Sequence, residues 1–90
     1  MAVATLDRIQ KDDKAMSVAS ALSVANEAAL AQGADLAQAL VTITEELAPP
    51  GGALWRIHYG PRDFVARRGG DLIVLVDQQT ATVQKIVRGQ

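Results

Sequence analysis

All three aromatic residues of this 90-residue chain, Trp55, Tyr59 and Phe64, and its one histidine, His58, fall within ten consecutive positions. Arg56 and Arg62 lie inside the same stretch, and Arg67 and Arg68 follow it. Histidine has the side chain whose ordinary pKa lies nearest neutrality, so acid–base chemistry would start at His58. Arginine beside aromatic rings suggests binding instead. Those residue types carry energy at protein interfaces, and they also neutralise phosphates and stack on bases.

Catalysis lacks further members. Strand alternation turns His58 away from Trp55, Ile57 and Tyr59 and sets it beside Arg56. Glu45 and Glu46 are neighbours on a strand and point to opposite faces, so they do not form an acid–base pair. No catalytic residue is assigned, and the chain reads as a non-enzyme. Metal binding fails on ligand supply, with one histidine, no cysteine and scattered carboxylates. Gly51-Gly52 and Gly69-Gly70 are isolated turn pairs, without the strand, glycine-rich loop and helix that would cradle a phosphate. No cofactor is expected. Nucleic acid is disfavoured by a pI near 5.6 and an acidic first half. A protein partner remains the better use of Arg56, His58, Arg62, Phe64, Arg67 and Arg68.

The elements that must position these residues are legible in the apolar spacing. Residues 12–32 predict a helix, with Asp12 or Asp13 as cap, an apolar seam of Ala15, Val18, Leu22, Ala25 and Ala29 widened by Ala21 and Ala28, and Gly33 as its stop. Small side chains on that seam let a sheet approach closely. Asp35 to Ala39 is a short turn, and Val41 to Leu47 alternates as a strand. Ala48-Pro-Pro-Gly-Gly52 breaks the chain, and Ala53 to Tyr59 resumes the alternation, so a hairpin follows. Matching the apolar faces sets Val41 opposite Tyr59, Ile43 opposite Ile57 and Glu45 opposite Trp55. Glu46 then meets Arg56 diagonally on the other face. Gly60 to Gly70 is a loop. Asp71 to Asp77 is apolar on both faces, as in a strand covered above and below. Asp77 opens a turn, and Thr82 to Arg88 returns as the last strand.

Ninety residues close one modest core, so residues 1–90 read as a single α+β domain: one long N-terminal helix packed on a curled four-stranded antiparallel sheet. Residues 1–11 are either a flexible arm or a backward extension of the helix through Leu6 and Ile9. Residues 1–50 carry three basic and seven acidic side chains, net −4, and residues 51–90 carry six and three, net +3. Opposed patches of this kind attract between subunits, or the basic half meets an acidic partner. No apolar run approaches the roughly 18 residues of a membrane span, and Met1 to Gln10 lacks an export pattern. A soluble, cytoplasmic protein is expected.

Val76-Asp77-Gln-Gln-Thr80-Ala81-Thr-Val83 followed by Ile86 resembles the closing hairpin of PepSY-type and other cystatin-like domains. The order of helix and strands, with Trp55 on the second strand and Gly69-Gly70 before the third, is similar to the cystatin-like and nuclear-transport-factor-like superfold. Ala81 departs from that pattern, which has glycine there. The superfold hosts inhibitors, immunity proteins, ligand cups and dimerisation modules, so it does not select a function. The inhibitory glutamine-valine-glycine tripeptide of cystatins does not occur in this chain.

One helix protects only one side of a sheet. Leu54, Ile73, Leu75 and Ile86 are therefore expected as an apolar patch on the other side, buried by a partner or by a homodimer formed through the sheet face. The expected function is a small protein-interaction or homo-oligomerising module, of which inhibitor- or immunity-like binding is one form. The alternative is a small-molecule cup between helix and sheet, lined by Ile43, Glu45, Trp55 and Tyr59.

Overall fold

The structure is a computed structural model that describes residues 12–61 and 71–89. The expected N-terminal arm and most of the loop after Gly60 lie outside those residues. Helix α1 spans Asp13–Ala31, a 3₁₀ turn spans Leu36–Gln38, and four strands follow: β1 Ala39–Ala48, β2 Gly52–Pro61, β3 Leu72–Asp77 and β4 Val83–Arg88. The sheet is antiparallel, open, and ordered β1-β2-β3-β4. The α+β class and the helix-on-sheet layering expected from the apolar spacing are both present.

Helix α1 begins where a side chain can satisfy its first free amides. Asp12 accepts a hydrogen bond from the Ala15 backbone N–H at 3.1 Å. It stops at Gly33, whose φ of +89° favours a residue without Cβ. There Gly33 N–H donates to the Leu30 carbonyl and Ala34 N–H to the Ala29 carbonyl, both at 3.0 Å. The buried seam is Ala21, Ala25 and Ala29, with Val18, Leu22, Val24 and Ala28 partly buried beside it. Against it lie Trp55, Ile57 and Tyr59 of β2 and Leu72, Val74 and Val76 of β3. The helix packs chiefly over β3, with smaller contacts to β2 and β4.

The β1–β2 register is the expected one, with Val41 opposite Tyr59, Ile43 opposite Ile57 and Glu45 opposite Trp55. The ladder runs further at both ends, to Ala39–Pro61 and Ala48–Gly52. The connection shortens to Pro49–Gly51, because Gly51 N–H folds back onto the Ala48 carbonyl at 3.2 Å.

One expectation is corrected in β4. Ile86 lies opposite Val74 on the helix side, and Val87 lies opposite Ile73 on the helix-free side. The cause is an irregularity between Leu75 and Val76: Leu75 faces Lys85 but Val76 faces Val83, so Gln84 is an extra residue that changes the strand's phase.

The β3–β4 turn is held by Asp77. Its Oδ1 accepts from the Gln79 N–H at 2.8 Å, the Thr80 N–H at 3.0 Å and the Thr80 hydroxyl at 3.2 Å. The Thr80 amide, followed by that of Gln79, holds the Asp77 carboxyl below its ordinary range. Ala81 then takes a φ of +55°, a left-handed position that glycine adopts at lower cost.

Two stability outcomes follow. Ala81→Gly relieves a left-handed alanine and should raise the urea-unfolding free energy by about 0.5–1 kcal/mol. Ala25→Leu pushes a larger side chain into the fully buried helix–sheet contact and should lower it by about 1–3 kcal/mol.

Candidate functional site

The aromatic cluster divides by strand alternation. Trp55 and Tyr59 point under the helix and are 5% and 3% exposed. Each brings one polar atom into the core, and each atom finds a partner on α1. Trp55 Nε1–H donates to Ser17 Oγ at 2.8 Å, and the Tyr59 hydroxyl donates to Asn26 Oδ1 at 2.7 Å. The spacings match. Nine residues of helix rise about 13.5 Å, and four residues of strand advance about 13 Å, so α1 runs along β2 in the same sense. Ser17 and Asn26 escape a sequence reading, because a polar residue flanking a helix seam signals nothing until the strand beneath it is in place.

Glu45 sits at the open end of the core. It accepts from Gln78 Nε2 at 2.8 Å and pairs with Lys14 Nζ at 3.2 Å, tying β1 to the β3–β4 turn and to the start of α1. The Gln78 hydrogen bond, and secondarily Lys14, holds its carboxyl below the ordinary value. An open depression of about 250 Å³ lies at the opposite end, lined by Gln32 to Asp35, Gln38, Ala39, Tyr59, Gly60, Pro61, Leu72 and Arg88. Of the four expected cup residues, only Tyr59 lines it. Ile43, Glu45 and Trp55 do not. Among the described residues that line it, Arg88 is engaged, since its Nη2 donates to the Gln32 backbone carbonyl at 2.6 Å and to Gln32 Oε1 at 3.2 Å.

On the helix-free face the side chains stand in rows across the strands. One row runs Thr42, His58, Ile73, Val87, and the next runs Thr44, Arg56, Leu75, Lys85. Leu54 lies between Glu46 and Asp77 in a third. Leu54, Ile73, Leu75 and Val87 thus form a contiguous, half-buried apolar stripe centred on β3. Glu46 Oε2 reaches Arg56 Nε at 3.9 Å, the diagonal pair expected from the sequence.

His58 has a partner that the sequence did not indicate. Its Nε2–H donates to Asp71 Oδ2 at 2.9 Å. The two are diagonal neighbours, because His58 faces Ile73 and Asp71 precedes it by two residues. Gly60 leaves room for the ring, since a Cβ there would stand 3.0 Å from His58 Cε1. The β2–β3 register that joins them is set across a long connection, which the residue pattern alone does not specify. Arg56 and His58 therefore lie on one face, while Arg62, Phe64, Arg67 and Arg68 fall outside the described residues. No group of three or more histidine, cysteine or carboxylate side chains is placed to hold a metal ion among the described residues, and no described helix is long and apolar enough to cross a membrane.

No protein-family model, curated protein or solved structure matches this chain.

Burial raises the Tyr59 pKa from 10.0 to about 12. A phenol with a raised folded-state value stabilises the fold fully below pH 10, and that contribution is lost as the pH rises towards 12. The thermal unfolding midpoint should therefore fall across this window. The absorbance of the single tyrosine should report ionisation only together with unfolding. Tyr59→Phe should flatten this alkaline limb.

Proposed function

We propose that the protein is a non-enzymatic interaction module that self-associates through the helix-free face of its sheet. The observation that carries this reading is the apolar stripe of Leu54, Ile73, Leu75 and Val87, which runs across the interior strands β2 and β3 to the edge strand β4 on the face opposite α1. Interior strands are the stiffest part of a sheet, so the stripe is a preorganised surface whose burial costs little ordering. The polar groups around it suit an interface. Glu46 with Arg56 and His58 with Asp71 are already paired, so a second copy meets few unpartnered charges when it docks. The Asp77 turn and the order of elements support a cystatin-like reading, in which binding of another protein, inhibitor- or immunity-like, is a related use of the same face.

Light scattering over tens of micromolar protein should give at least twice the chain mass. Leu75→Lys, and independently Leu54→Lys at the end of the stripe, should each lower that mass with unchanged far-ultraviolet circular dichroism. A parent that stays single-chain at every concentration, or a dimer indifferent to both lysines, would reject the face.

A further inference from the structure

The two edges of the sheet are built differently. β4 is short, carries Lys85 and Arg88, and has a broken register against its neighbour. These are the devices by which edge strands avoid pairing with other chains. β1 is neither short nor irregular, and its charges are the two carboxylates Glu45 and Glu46. It runs ten residues, Ala39–Ala48, in unbroken register with β2, and contains no proline, lysine or arginine. It also carries the most exposed large apolar side chain among the described residues, Leu47 at 82%, together with Leu40 at 52% and Val41 at 39%. Val41 and Leu47 share the helix side of the sheet with Ile43 and Glu45, yet α1 packs over β3 and leaves them uncovered.

β1 is also complementary to itself in one register. Two antiparallel edge strands related by a two-fold axis must have that axis perpendicular to the sheet, so opposed residues share a face. With the axis at Thr44, Val41 of each copy lies opposite Leu47 of the other, Leu40 opposite Ala48, Ile43 opposite Glu45, and Thr42 opposite Glu46. An axis at Glu45 would set carboxylate against carboxylate. An axis at Ile43 would set Val41 and Leu40 against Glu45 and Glu46. Of these, only the Thr44 register joins Val41 to Leu47 without setting two carboxylates directly opposite each other; the two Glu45 side chains stand diagonally across the axis.

We infer that β1 is a second self-association surface, pairing with β1 of another copy about Thr44 to make one continuous eight-stranded sheet. The proposal goes beyond the face reading and does not depend on it. Both helices stand on the same side, with the two Val41–Leu47 contacts in the trough between them. The inner strands of both helix-free faces become parts of one broader surface.

The chain has no cysteine, so single cysteines report the register directly. Thr44→Cys should place two Cα atoms about 4.5–5.5 Å apart, within disulfide reach, and should give a covalent dimer on mild oxidation. Thr42→Cys and Glu46→Cys shift like residues by about 13 Å along the strands and should remain single. In the cysteine-free chain, Leu47→Lys and Val41→Glu should each weaken edge pairing roughly tenfold or more, and together restore it. Crosslinking at position 44 no faster than at 42 or 46, or no rescue by the double change, overturns the proposal. Adding Leu75→Lys to Thr44→Cys separates the two surfaces. Crosslinking that persists while Leu75→Lys alone leaves the mass unchanged would keep the edge and reject the face. Loss of crosslinking with Leu75→Lys would reject the edge as an independent surface.

Discussion

A single helix about 10 Å across can roof about two strands of a sheet whose strands repeat every 4.8 Å or so. This chain has four strands and one described helix, so part of the sheet must stay uncovered. Burial follows that limit closely. The fully buried sheet residues are all on β2 and β3, beneath α1, whereas β1 and β4 are exposed over most of their length. The opposite face has no described element over it. Both candidate surfaces, the apolar stripe and the β1 edge, result from the same shortage of cover.

How the helix is held follows from its composition. A seam of Ala21, Ala25 and Ala29 approaches the sheet closely but offers a smooth contact, with few protruding side chains to lock its position along the strands. The two buried polar tips of β2 supply that lock. Trp55 and Tyr59 must each find a partner once they leave water, and Ser17 and Asn26 provide it at matching intervals. The aromatic residues that first suggest a site thus serve chiefly to place the helix. The polar residues between them, Arg56 and His58, are left for the other face.

Much of the local structure was legible. Asp12 and Gly33 bound the helix as their capping chemistry predicts, and alternation across a short connection set the β1–β2 register residue for residue. Glu46 and Arg56 paired for the same reason. What was not legible depended on distant registers. The His58–Asp71 contact requires β3 to be aligned with β2 across the ten residues from Arg62 to Asp71, and that alignment is decided by core packing rather than by a turn. The exchange of Ile86 for Val87 on the helix-free face came from one extra residue, Gln84, in a strand too polar for alternation to reveal it. Glu45 shared the phase of the core-facing residues but lay beyond the helix's cover, where Lys14 and Gln78 could pair with it.

The sequence by itself determined the elements, their order, the first hairpin and the apolar character of β3, because these rest on periodicity and on chemistry within a few residues. Only the tertiary structure decided which strands the helix covers, which carboxylate meets the histidine, and which edge is left long and regular. Each of those outcomes is settled by how a narrow helix sits on a wider sheet, a fit between segments far apart in the chain that no local pattern encodes.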